Sequence, residues 1–459
     1  ASTTQLQWIV DAYTLVFAVL MLPGGYLGDR VGRRKILITG LLGFAVVSSV
    51  SAMTTHITVL IGLRVLLGIC AALVFPATLS LISTIFKGTK HHALAVGLWA
   101  ATAGLGIALG PVVGGLLLEH FEWPSLFWIN IVIVLPVAGI SSFLVPESRS
   151  NKLGRFDAVG MCLAIAALGL FVGSIIEGPQ LGWTTLPVLG GLATSILLAG
   201  AFMAWEKRVD SPMLDLSLFR ASNVATCSSA IGLAFFSLFG FTFTITIYFQ
   251  AVRGYSALQA GLAILPFAVV MGACSPLAPV LARRFGTGRC VPFGIALMGI
   301  GFWIVSFADA TNSYWAVMVP AMIFMAMGLA FAQGPATDII LSAAPSDEIG
   351  VASGVNDSIR EIGGTIGVAV LGSILTHVYR DQMSTVTSTS PSLSAAGDSI
   401  MAAQQIAATL PEGSQQTTLR ATASDAFLSA LHINCLILTG IMLMASILIA
   451  FRFVHNARH

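Results

Sequence analysis

The chain predicts an all-α polytopic membrane protein, on three observations. Apolar runs of about twenty residues recur along nearly its whole length, each long enough to cross about 30 Å of hydrocarbon. Of its 459 residues, 56% are hydrophobic and only 9% are charged, with a mean hydropathy of +0.90, well outside soluble composition. The few Lys and Arg gather in the connections between runs, most of them on one side. Hydrocarbon offers the backbone no hydrogen-bonding partner, so each run is expected to be a helix. The 46 glycines fit helices that pack in lipid through small side chains.

Taken in order, thirteen spans are expected: 6–28, 36–54, 57–80, 93–117, 124–145, 157–176, 185–205, 222–249, 258–282, 290–308, 313–340, 350–376 and 426–453. With the connection Asp29–Lys35 in the cytoplasm, seventeen of the 22 Lys and Arg lie on that side. Only Arg253, Arg380 and Arg420 fall outside, and Arg64 and Arg360 lie within spans. This is the positive-inside pattern. It places residue 1 outside and residue 459 in the cytoplasm, so one upstream helix, the first of fourteen, is expected to be missing from this sequence. The segments Leu27–Gly32 (LGDRVG) and Leu281–Gly286 (LARRFG) form a weak internal repeat of two halves. Three units are expected. Residues 1–146 form an N-terminal bundle lacking its first span. Residues 147–220 hold two linker helices. Residues 221–459 form a C-terminal bundle with an external loop at about 378–424, to which no role is assigned.

Charge is concentrated at Gly25–Lys35, GYLGDRVGRRK, where five of eleven side chains are charged. Gly25, Gly28 and Gly32 are expected to admit a neighbouring helix, and Asp29 to meet an Arg or a helix N-terminus at the membrane edge. Gly25, Leu27, Gly28, Asp29, Arg30, Gly32, Arg33 and Arg34 resemble the signature between the second and third spans of the major facilitator superfamily. The resemblance implies two six-helix bundles, here with two extra central helices, and a conformational latch that holds the cytoplasmic side shut.

The resemblance extends along the chain. Gly106-x3-Gly110-Pro111-x2-Gly114-Gly115 resembles the fifth-span motif that marks antiporters and exporters; Pro111 removes a helical hydrogen bond, and the glycines let the helix slide. Leu60-x3-Arg64-x2-Leu67-Gly68 is similar to the fourth-span motif of proton-coupled drug exporters, although Leu67 stands where the family often has Gln. Trp8–Tyr13 resembles the second-span start of exporters that take organic cations. Trp123–Asn130 and Phe249–Gly261 look like consensus segments of the fourteen-span drug:proton antiporters.

Charged side chains inside spans are functional by default. Asp11 and Arg64 lie at similar depths, and both an Asp11–Arg64 pair and an Asp11 facing the cavity alone are compatible with the sequence. Asp357 and Glu361 are four apart and share a helix face. Two such carboxylates cannot both ionise cheaply in a low dielectric, so one is expected to hold a proton and exchange it for a cation. Arg360 can neutralise Asp357 at i+3, and a structural Arg360–Asp357 pair beside an idle Glu361 is the rival reading. Relatives commonly have Gln where Glu361 stands, so Glu361 is an added acid. Tyr13, Phe235, Phe239 and Phe243 are candidates for an aromatic cavity wall against flat cations.

The resemblance implies proton-driven efflux of hydrophobic or cationic compounds, with small substrates, protons and membrane lipid as partners, in a cell membrane. Export of a lipid or an endogenous metabolite is the alternative. No cofactor is expected, since the proton gradient drives the cycle. A Gly-rich phosphate loop ending in Gly-Lys-Ser/Thr does not occur, which argues against ATP. Glu-x2-His and Gly-x-Ser-x-Gly arrays are also missing, which argues against an enzyme. The net charge of +2 gives no nucleic-acid signature, and the six cysteines have no metal-ligand spacing.

Overall fold

Apolar runs, interrupted by short polar connections, fold into long helices because only a helix satisfies the backbone within one segment. The computed structural model describes residues 3–86, 112–149, 157–210, 222–343, 349–389, 391–411 and 413–456, with Thr89, Gly106, Leu109, Gly110 and Pro212 singly. The helices are α1 (Thr3–Val31), α2 (Arg33–Met53), α3 (Ile57–Ile85), α4 (112–120), α5 (Ser125–Leu144), α6 (Ala158–Leu181), α7 (Leu186–Glu206) and α8 (Ser222–Ile247). They continue with α9 (Ala257–Leu262), α10 (Leu265–Cys274), α11 (Leu277–Phe285), α12 (Thr287–Val305), α13 (Tyr314–Ser342), α14 (Ile349–Thr389), α15 (Ile400–Thr409) and α16 (Ser414–Asn456). Among the described residues, twelve helical segments are long and apolar enough to cross a membrane. The expected span 93–117 lies outside the described residues except at its end, Gly106, Leu109, Gly110 and the first part of α4.

Side chains such as Phe143, Leu186, Leu197 and Trp315 are largely exposed on the outside of the bundle. Apolar surface on this scale is stable against hydrocarbon and not against water. The protein is a multi-pass membrane protein.

Two expectations about elements need correction, and a third is made definite. The run 258–282 is not one helix but α9, α10 and α11, because Pro266 and Pro276 each remove an amide donor at a helix start. The run 222–249 ends in a π-helical turn, Tyr248–Val252. The region 378–424, for which the sequence leaves both a partly helical and a mobile reading open, is mostly helical. α14 runs on to Thr389, a 3-10 turn covers Pro391–Gly397, and α15 and the start of α16 follow. This region packs onto the C-terminal bundle: the Tyr379 hydroxyl donates to the Ala396 carbonyl at 3.0 Å, and Gln404 donates to the Ala251 carbonyl at 3.2 Å. Ala396, Ala403 and Ala407, all fully buried, let it approach closely.

α1, α2, α3 and α5 pack together, as do α8, α12, α13, α14 and α16. α1 and α14 form the seam between these groups. The Gln7 side-chain amide donates to the carbonyls of Val368 at 3.4 Å and Ala369 at 3.2 Å. α6 flanks this seam and touches both sides. Trp8 Nε1 donates to Glu177 at 2.9 Å, Gln180 donates to the Thr4 hydroxyl at 2.6 Å, and the Ser373 hydroxyl donates to the Ile175 carbonyl at 2.8 Å. α7 packs on α6.

Candidate functional site

The seam gathers charge from three helices. Gly68 of α3 sits against the backbone of α1, where a Cβ would come within 2.6 Å of the Tyr13 carbonyl oxygen. This close packing brings Arg64 level with the turn Ile9–Tyr13. Arg64 Nε donates to the Ile9 carbonyl at 2.7 Å, and its guanidinium lies over the Tyr13 ring at 4.5 Å from the centroid. Such a stack uses the planar, weakly hydrated guanidinium in a way an ammonium cannot. Arg64 therefore does not pair with Asp11. Asp11 is fully buried, and neither carboxylate oxygen has a hydrogen-bond partner among the described residues. It does not face an open cavity. It lies one turn from Gln7, on the α1 face that meets α14. A carboxylate so placed is costly as an anion.

Across the seam, α14 carries the second cluster. Asp357 Oδ1 accepts from Arg360 at 3.2 Å, and the Arg360 guanidinium lies over the Phe235 ring at 4.5 Å. Asn356 joins Asp357 at 3.4 Å and accepts from the Thr337 hydroxyl of α13 at 3.3 Å. The predicted i+3 pair thus forms, and it leaves Glu361 without a hydrogen bond or salt bridge among the described residues. Tyr13 of α1, with Arg64 over its ring, and Glu361 of α14 thus lie on the two helices that form the seam.

The aromatic candidates divide. Tyr13 is half-buried and stacks on Phe17 at 5.8 Å. Phe235 is only 2% exposed and already covered by Arg360, so it is core rather than free wall. Phe239 is half-buried, packed edge-on to Phe235 at 5.8 Å and against Gly364, and Phe243 is half-buried further along α8.

At the Asp29 end, the latch residues make their contacts within the N-terminal group of helices. Asp29 pairs with Arg33 at 2.7 Å. Arg33 also donates to the Ser80 carbonyl at 3.4 Å and to the Thr84 hydroxyl. Arg30 is exposed. The glycines do not act as expected: a Cβ at Gly28 would meet nothing within 4 Å, and one at Gly25 would make an ordinary 3.5 Å contact with Pro76. The close approach is made by Gly24, against the carbonyl of Ala72. Gly32 is needed for its backbone, with φ at 127°, and for the Glu147 carboxylate packed on it. Glu147 accepts from the Arg34 amide at 3.1 Å. Sequence reasoning passed over both Gly24 and Glu147. Gly24 adjoins a motif glycine, and Glu147 had only its place in a polar connection to mark it.

In the antiporter motif, Gly106 and Gly110 face open space among the described residues, and Gly114 makes a 3.7 Å contact with Leu126. Gly115 alone is tight: a Cβ there would lie 2.5 Å from Leu258 Cα and 2.6 Å from the Ala257 carbonyl oxygen of α9. Pro111 lies outside the described residues.

Comparisons with known proteins agree with this architecture. The model of the Major Facilitator Superfamily matches residues 1–368. The multidrug efflux pump LfrA of Mycolicibacterium smegmatis is 35% identical over 99% of this chain and 89% of its own length. The tetracenomycin C resistance and export protein of Streptomyces glaucescens is 32% identical over 82% of this chain and 70% of its own. The methyl viologen resistance protein SmvA of Salmonella typhimurium is 34% identical, over 83% and 76%. Among solved structures, a bacterial homologue of the lysosomal transporter Spinster, in an inward-facing and unoccupied conformation, superposes with a TM-score of 0.65 at 14% identity. It covers 99% of this chain and 91% of that one. The peptide transporter PepTSo gives a TM-score of 0.63 at 16% identity, covering 99% and 90%.

Proposed function

Since the chain belongs to the major facilitator superfamily, we propose that it exports small hydrophobic or cationic molecules across a cell membrane in exchange for protons. The observation that carries this reading is the pair of unpartnered carboxylates at the seam. Asp11 comes from one half and Glu361 from the other, and Tyr13, two residues from Asp11, carries Arg64 over its ring. A buried acid held in no direct ion pair is suited to accept a proton or a cationic cargo in turn. The names of the relatives, multidrug efflux and antibiotic resistance, support the cargo class.

The proposed cycle uses this geometry. The halves touch through Gln7 on α14 and Gly115 on α9, at the end away from Asp29. The distribution of Lys and Arg assigns the Asp29 end, and the last residues of α16, to the cytoplasm. Cargo enters from that side, reaches the carboxylates, and leaves when the bundles rock and the Gln7 end parts. Protonation of the acids on the outside then resets the empty carrier. One proton moving down about 1.7 pH units supplies about 2.3 kcal/mol, enough for about a 40-fold gradient of a monovalent cation; a neutral cargo adds the similar energy of one charge moving through about 100 mV.

Glu361→Gln keeps the shape and removes the proton exchange. In sealed proteoliposomes with an imposed pH gradient, the variant is expected to lose uphill movement of tetraphenylphosphonium, its concentration ratio falling to about one. Uphill transport at the unaltered ratio would exclude Glu361 from the coupling.

A further inference from the structure

A cavity of about 430 Å³ lies beside the seam, bounded by α1, α6, α7 and α14. It exists because α7 packs on α6 and stands away from α14, while Ala18 of α1 and Ala164 and Ala167 of α6 are too small to fill the gap. Its volume is that of a small-molecule site rather than a packing defect. None of its lining side chains is charged. Two are polar, and they differ. The Ser195 hydroxyl donates to the Leu192 carbonyl at 2.7 Å. The Ser358 hydroxyl is buried, its residue 6% exposed, and has no hydrogen-bond partner among the described residues. A buried hydroxyl without a hydrogen bond is unfavourable unless something else supplies one. The mouth is formed by α7, where Ile196 is 68% exposed on the outer, bilayer-facing surface.

From these observations we infer a second binding site, built by the linker helices, for a neutral amphiphile that enters from the bilayer and places one hydrogen-bonding group against Ser358. The chemistry of the lining selects the occupant. A charged head would be buried without a counter-ion, which the wall cannot provide. A wholly apolar molecule would leave the Ser358 hydroxyl unsatisfied. An apolar chain with a single hydroxyl or carbonyl satisfies both. The site lies on the α14 face next to Asp357, yet neither Asp357 nor Glu361 lines it. Its occupation is therefore separable from proton exchange.

The test is photolabelling of the purified full chain in nanodiscs with a long-chain alkanol carrying a diazirine, mapped by mass spectrometry. Saturable labelling of α6, α7 and α14 is expected. Ala199→Trp, which fills the cavity from the mouth, should cut that labelling about tenfold, and Ser358→Ala should weaken apparent binding about 2- to 10-fold. Glu361→Gln should label as the parent does, so failure of the proton cycle and failure of this site can be told apart. Labelling that does not saturate, or that Ala199→Trp leaves unchanged, would overturn the proposal. Displacement by tetraphenylphosphonium as effective as by unlabelled alkanol would also overturn it, by making the cavity a site for cations.

Discussion

Gly115→Ala is expected to shift the protein toward a conformation with the Gln7 end open. In the native packing, the added Cβ would lie 2.5 Å from Leu258 Cα, 2.6 Å from the Ala257 carbonyl oxygen and 2.7 Å from the Leu258 amide nitrogen. All three are backbone atoms of α9 and cannot rotate aside. Contacting carbons prefer about 3.5–4.0 Å, so α4 and α9 must separate by about 1 Å. Overpacking of this kind costs about 1–3 kcal/mol. The higher helix propensity of Ala acts in both conformations and cancels. The steric term acts only where α4 touches α9, so the ratio of open to closed should rise by about 5- to 150-fold. Spin labels at Glu119 and Leu262, in a background with the native cysteines replaced, report the separation by double electron–electron resonance. A new long-distance component is expected in Gly115→Ala and a larger one in Gly115→Val. Identical distance distributions in the parent and both variants would refute the assignment of this contact as a closure point between halves.

Arg64→Lys keeps the charge but loses the Nε bond to Ile9 and the stack on Tyr13, so proton-driven transport in vesicles should fall at least about tenfold. Parental rates would show that charge alone suffices. Asp29→Asn removes a half-exposed pair with Arg33 and should change stability by less than about 1 kcal/mol. Turnover should nevertheless slow with the substrate profile unchanged; a changed profile across dyes and quaternary amines would contradict the latch role.

The membrane class and the helical architecture were legible because hydropathy is a property of local segments. The chain breaks at Pro266 and Pro276 were also written in the sequence, but a run's total hydropathy conceals them. The packed region after Tyr379 was hidden for a different reason: Ser, Thr and Ala read as loop, whereas here the alanines are the condition for close helix contact. At the site, Asp357–Arg360 followed from helical spacing, because i and i+3 meet on any helix. Whether Arg64 would face Asp11 or Tyr13 could not follow from spacing, since it depends on the relative depth and rotation of two helices. That register is set by Gly68 against the Tyr13 backbone. The same limit explains Gly24, which is tight, beside Gly25 and Gly28, which are not.

The seam's chemistry bears on how little energy is needed to move it. The described ion pairs are Arg33–Asp29, Arg34–Glu147, Arg360–Asp357 and Arg380–Asp398, and none joins α1–α5 to α8–α16. The halves are held instead by the Gln7 amide on two α14 carbonyls and by glycine contacts such as Gly115 on α9. A neutral hydrogen bond is worth about 0.5–1.5 kcal/mol net. A seam closed by an amide and small residues therefore lies within reach of the roughly 2.3 kcal/mol that one charge gains across about 100 mV. We propose that the charge state of Asp11 and Glu361, which form no ion pair across the interface among the described residues, biases which end of the protein is closed.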